Sequence, residues 1–236
     1  MIILLFLTVL TVFRLTWFQL FAAAEHPHAV KGVLDLRNWD QLSQHTVSLE
    51  GEWEFYPHFF YQPEQKNSRL PAENKETIQV PGNWNFSNEK VSTYGYGTYR
   101  LRILTDPSKE EFYALHFPEI HSSAAIFING ELFAHSGKVG TGKQDYEPMN
   151  IPKTLHFAAD NGEEIEIVIQ AANYDDLFKG GIVKAPIFGL AGNMEKTMDI
   201  HVFNVISSCI IYLLHSFYSF TIFLLGRHVK NNRQLL

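Results

Sequence analysis

Three groups of residues in this 236-residue chain have types and spacing that could do chemistry. The first is a set of loop aromatics, Trp84, Tyr94, Tyr96 and Tyr146. They stand in polar, glycine-rich surroundings, where flat apolar faces beside a few polar groups suit a small molecule or a saccharide. The second is a set of carboxylates, Glu119, Glu163-Glu164 and Asp175-Asp176, in loops or at strand ends. Glycoside hydrolysis needs two carboxylates flanking the scissile bond at about 5–9 Å, depending on mechanism. Turns and solvated faces account for these acids far better than catalysis does, so no catalytic residue is assigned. The third is a stripe in a C-terminal apolar run: Asn204, Ser208, Tyr212, His215 and Ser219. Steps of three and four residues put all five on one side of an α-helix.

Other patterns are weaker. His26-Pro27-His28 has the look of a metal pair, but an exposed leader explains it, and no metal ligand set is assigned. Gly137–Gln144 (GKVGTGKQ) matches a P-loop only in part. Gln144 stands where a hydroxyl residue would hold Mg²⁺, and Pro148 and Pro152 occupy the place of the required helix. The single cysteine, Cys209, excludes a disulfide scaffold and a cysteine-based zinc site. A net charge of −6 gives no basic footprint for nucleic acid. No cofactor is expected.

The elements that must position these residues read as strands. Val80–Ile103 is central: a Pro81-Gly82 turn, a polar loop holding Trp84, Phe86 and Tyr94, then a run in which Tyr99, Leu101 and Ile103 alternate with polar neighbours. Thr46–Tyr56 alternates in the same way, with Gly51 read as a bulge or bend. Pro57–Thr77 reads as loop. Phe112–Phe117 and Glu163–Gln170 are half-buried strands, and Ala124–Phe133 is a hairpin, because Asn129-Gly130 supplies a type I′ turn. Ile187–Leu190 and Thr197–Phe203 are expected as the final strands. Eight to ten short strands with long loops and no soluble helix predict a mainly β jelly-roll sandwich.

The ends place that sandwich. Met1–Ala24 is apolar apart from Arg14 and closes on Ala22-Ala23-Ala24, a signal-peptidase pattern that lacks a basic start. A cleaved leader and a retained anchor would both export the segment after Ala24. Val202–Leu225 runs without Asp, Glu, Lys or Arg, and about 20 such residues cross a bilayer. Arg227, Lys230 and Arg233 come next, so the positive-inside rule puts that end in the cytoplasm. The organisation expected is a leader or anchor at 1–24, an extracellular or periplasmic sandwich at 25–200, a membrane helix at 201–226 and a cytoplasmic start at 227–236.

Gly51-Glu52-Trp53-Glu54-Phe55, Val80-Pro81-Gly82-Asn83-Trp84, Gly97-Thr98-Tyr99-Arg100-Leu101, Ile128-Asn129-Gly130 and Gly180-Gly181 occur in that order. Together they resemble the galactose-binding-like jelly roll of β-galactosidase-type glycoside hydrolases. The same module ahead of Ile211–Leu225 and a basic tail resembles bacterial seven-transmembrane receptors with diverse intracellular signalling modules. That resemblance implies a ligand-sensing domain, truncated after its first membrane helix, without the kinase, cyclase or phosphatase output of the family. The alternatives are a sugar-binding accessory domain of a glycoside hydrolase and a membrane-anchored adhesion domain. The expected partners are the membrane, a small-molecule or saccharide ligand, and further transmembrane helices from a continuation of the chain or a second copy.

Overall fold

A computed structural model describes residues 8, 11–16, 26–63, 70–71, 74–84, 93–106, 112–158 and 164–232, with backbone alone at 225–226 and 228–232. The expectations for Phe86, Glu163, Arg233 and most of 1–24 lie outside the described residues.

Among the described residues, eleven strands form two sheets: β1 Val33–Asp35, β2 Val47–Ser48, β3 Gly51–Pro57, β4 Glu76–Val80, β5 Gly95–Leu104, β6 Phe112–Phe117, β7 Ser123–Ile128, β8 Glu131–Ser136, β9 Lys153–Ala158, β10 Glu164–Asn173 and β11 Ile187–Leu190. The larger sheet runs β4-β3-β5-β10-β7-β8, with β1 parallel to the end of β5; the smaller runs β2-β11-β6-β9. This is the mainly β jelly-roll sandwich that the alternation predicts. Its core is the inward side of that alternation. Trp53, Tyr99, Leu101, Ile103, Tyr113, Leu115, Ile167, Ile169 and Phe188 are all buried between the sheets. Tyr99 is the centre of an aromatic cluster, 4.8 Å from Phe55, 6.1 Å from Trp84 and 6.4 Å from Trp53 between ring centroids.

The hairpin forms as the sequence requires, with φ of 50° at Asn129 and 83° at Gly130. Asn129 Oδ1 also accepts the Glu166 N–H at 2.8 Å, tying the turn to β10. On the outer face of the larger sheet, Arg100 donates to Glu166 at 2.6 Å and to Glu54 at 3.2 Å. Burial raises the Glu54 carboxyl, but hydrogen bonds from Tyr56, Arg100 and Lys75 outweigh it and hold the group below its ordinary range.

Four details differ from the sequence reading. Gly51 is no bulge within one strand: it is where the chain leaves the smaller sheet at β2 and enters the larger at β3. Its φ is 122°, and a Cβ there would sit 2.3 Å from the Ala29 carbonyl oxygen. Strands β1 and β9 escape notice, the first because it has three residues and the second because Pro148 and Pro152 disguise its start as loop. Thr197–Phe203 is helix, not strand. It belongs to one helix, Ala191–Asn232, that begins directly after β11. Continuation of the apolar run overrides local β propensity there. Within it, Ala191–Leu224 is long and apolar enough to cross a membrane.

Candidate functional site

Strands β6, β7, β8 and β10 all have an end at which three connections meet: 118–122, 137–152 and 174–186. Between them lies a cavity of about 260 Å³ lined by His121, Ser122, Pro148, Met149, Asn150, Asp175 and Asp176.

Asn173, the last residue of β10, holds these loops together and is fully buried. Its Nδ2 donates to the carbonyls of Thr93 (2.9 Å), Asp176 (2.8 Å) and Lys179 (2.9 Å). Its Oδ1 accepts from the Asp176 N–H at 3.0 Å and from Ser122 Oγ at 3.2 Å. A buried amide with every valence used fixes backbone that no sheet ladder reaches.

Two carboxylates are held ionised at the cavity, Asp175 in its wall and Glu119 through its bonds to the lining residues His121 and Asn150. Asp175 Oδ1 accepts Ser122 Oγ and Tyr146 Oη, each at 2.5 Å. Burial pushes Asp175 up, but these hydroxyls more than offset it and leave the group below its ordinary range. Tyr146 is correspondingly raised, by burial first and then by the bond to Asp175. Glu119 accepts Lys184 Nζ at 2.7 Å on one oxygen, and His121 Nε2 at 2.5 Å and Asn150 Nδ2 at 3.2 Å on the other. Lys184 is the main reason that Glu119 falls from 4.5 to about 2, against a smaller opposing push from burial. The second imidazole nitrogen of His121 lies 3.4 Å from Asp176. The wall therefore offers fixed acceptors, an amide and an imidazole. That set suits ligand hydroxyls, and carboxylates held this far below neutrality are poor proton donors.

The aromatic candidates do not gather around one ligand face. Trp84 is 2% exposed, stacked on Tyr99, with Nε1 donating to the Thr93 carbonyl at 2.6 Å. A Cβ at Gly180 would meet that nitrogen at 2.2 Å, so the glycine loop seals the indole in the core. Trp84 is thus withdrawn as a ligand contact. Tyr146 is also buried and packs edge-on against Tyr174 at 5.5 Å; it bears on the cavity through Asp175 and Ser122 and not as an exposed face. Tyr96 is half-buried against Phe60 and His58. Tyr94 alone of the four is exposed. Of the acids, Glu119, Asp175 and Asp176 come together, whereas Glu164 starts β10 at the far end, 3.9 Å from Arg102. Ser122, His121 and Asn150 carry no signal in the sequence, because only the meeting of three distant loops makes them neighbours.

Gly137–Gln144 is part of the second loop, closed by Lys138 and Glu147, and strand β9 comes after it, so it has no phosphate-binding helix. His26 and His28 have ring centroids 5.0 Å apart, and no cluster of three metal-ligating side chains occurs among the described residues. In the helix, Asn204 is half-exposed, and Ser208, Tyr212, His215 and Ser219 are exposed. Ser208 Oγ donates back to the Asn204 carbonyl at 2.8 Å.

No family model matches the sequence, and no curated protein matches it. Among solved structures, the chain is similar to a glycosyl hydrolase family 2 member from Bacteroides cellulosilyticus (18% identity, TM-score 0.48, 62% of this chain and 20% of that one). It is also similar to a β-glucuronidase from Ruminococcus gnavus in complex with D-glucuronic acid (16% identity, TM-score 0.44, 61% and 29%). A third is a putative β-galactosidase from Bacteroides fragilis (18% identity, TM-score 0.44, 61% and 23%). The chain spans less than a third of each of these proteins.

Proposed function

We propose that this chain is a non-catalytic module that binds a small hydroxylated ligand, a saccharide, in the loop cavity. Its C-terminal helix holds it at a membrane, with the sandwich on the extracellular or periplasmic side. The observation that carries this reading is the cavity wall: Asp175, Asn150 and His121 line it, with Asp175 held ionised by neighbouring donors and Glu119 bonded to His121 and Asn150 outside the lining. A general acid for glycoside cleavage needs a raised carboxyl pKa, the opposite of what surrounds these two. The module can serve as the sugar-binding part of a larger glycoside hydrolase or as a free-standing binding domain.

One observation favours a second reading, the sensing domain of a membrane receptor. The helix succeeds β11 with no linker and is docked on the sandwich through buried Met194 and through Asn193, which donates to the Leu42 carbonyl at 3.3 Å. A change at the cavity would then reach the helix through packed structure. In that reading the stripe Asn204, Ser208, Tyr212, His215 and Ser219 packs on further helices.

Screening the full chain in detergent against a glycan array, with direct titration of the hits, tests the binding claim. Asp175→Asn should weaken binding about tenfold or more, since removing a charged partner from a hydrogen bond costs roughly 1.5–3 kcal/mol. Binding unchanged by that substitution, or release of product from a bound glycoside, would overturn it.

A further inference from the structure

The direction in which the helix leaves the sandwich determines which end of the sandwich meets the membrane. Strand β11 runs antiparallel to β6, with Leu190 opposite Tyr113, Gly189 opposite Ala114 and Ile187 opposite His116. The helix does not continue along β11. Asn193 bonds to Leu42, and Thr197 Oγ1 lies 3.4 Å from Thr46 Oγ1, beside Gly189. His201 comes near enough to His116 for the two rings to act on each other electrostatically. Thr197, seven residues past Leu190, is thus back at the Gly189 level, and the helix packs on β6 as well as on β11. The chain has doubled back across the outer face of the smaller sheet, in the direction of β6. Ala114, which does not face the core, is fully buried beneath it.

Past His201 the helix therefore extends beyond the Phe117 end of β6, the end that carries the cavity loops. The same loops hold Met149 (44% exposed), Ile151 (56%), Leu177 (61%) and Phe178 (82%). Their backbone is held in place. The Phe178 N–H donates to Asp176 Oδ1 at 2.8 Å, its carbonyl accepts Asn83 Nδ2 at 3.1 Å, and the Met149 N–H donates to the Ser122 carbonyl at 2.9 Å. Single exposed apolar side chains are ordinary. Four on fixed loops at the end from which an apolar helix departs are not scattered.

We propose that these four side chains seat in the headgroup region of the bilayer that the C-terminal helix crosses, so that the cavity end of the sandwich lies against the membrane. The inference rests on the reading of that helix as a membrane span. The occupant is lipid in the same membrane. The loops expose Lys138, Lys143, Lys179 and Lys184 against Asp145, Glu147 and Asp175, so zwitterionic lipid suffices and anionic lipid adds little.

The test uses the full chain carrying Cys209→Ser, in phosphatidylcholine vesicles. An environment-sensitive fluorophore is attached to a cysteine introduced by Phe178→Cys, Ile151→Cys, Leu213→Cys or Leu132→Cys. Leu132, 57% exposed beside the hairpin turn at the opposite end, is the aqueous control. Interfacial side chains lie about 5–10 Å into the headgroup region. Lipid-borne quenchers placed high on the acyl chain should therefore quench 178 and 151 more than deep ones, and neither should affect 132. Position 213 should respond more to the deep quencher. Quenching at 213 with 178 and 151 as unresponsive as 132 would overturn the docking alone. Absence of quenching at 213 would overturn the span and the docking together.

Discussion

Glu119 shows how much a single side chain reports about the cavity. Lys184, His121 and Asn150 all donate to it, and its carboxyl falls from 4.5 to about 2. A depressed carboxylate contributes stability that is fully present above its unfolded value and is lost as pH falls through its folded value. Its share is therefore constant above pH 4.5 and disappears toward about pH 2. Lys184→Met removes the main donor, so urea denaturation should show a deficit against the parent chain at neutral pH that shrinks as pH falls through that window. A deficit independent of pH would mean that Lys184 acts through packing alone. At this scale the sequence is legible where partners are strand neighbours. The alternation of β5 puts Arg100 on the face away from the core, where a carboxylate partner is expected, and it pairs with Glu166, its diagonal neighbour on β10, two positions from Val168, which stands directly opposite. The sequence is illegible where burial is decided from far along the chain. Trp84 sits in a loop that looks exposed, yet Gly180 and Gly181 close over it, and nothing local to Trp84 carries that information.

Among the elements, those with a period are readable and those defined by context are not. The hairpin, β5, β6, β10 and β11 follow from alternation and turn chemistry, because one buried face writes itself into every second residue. β1 is too short to show a period. The first turns of the helix read as a strand because nothing in their sequence announces that they pack on a sheet. The stripe along the same helix leads to a prediction at this scale. Asn204 Oδ1 is buried without a hydrogen-bond partner, and under the proposed membrane crossing an interhelical partner would contribute on the order of 0.5–2 kcal/mol. Disulfide crosslinking of single cysteines in the Cys209→Ser chain should concentrate at 204, 208, 212, 215 and 219 when further helices are present. Equal crosslinking around the helix would remove the packing face from the proposal.

Among the described residues, the sandwich and the first turns of the helix pack as one unit, because strand β11 becomes the helix without a linker and those turns are docked. Met194 is 1% exposed, Asn193 is bonded to Leu42, and Ala114 is covered. That arrangement constrains orientation as well as attachment. A sandwich hung on a flexible tether would sample every angle to the membrane, whereas one clamped to a helix that turns back across its sheet presents a fixed end. Inserting a flexible Gly-Ser segment between His201 and Val202, where the helix clears the sheet, separates the two effects. The buried contacts of the first turns stay intact, so thermal unfolding of the sandwich should be unchanged. Ligand affinity in detergent, where no bilayer covers the cavity, should also be unchanged, since every group in the cavity wall belongs to the sandwich. What should change is rotational freedom: a spin label in the 137–147 loop should show broad, unconstrained orientations in aligned bilayers with the insert and a narrow distribution without it. If the uninterrupted chain already shows the broad distribution, the helix is an anchor and transmits no orientation to the sandwich.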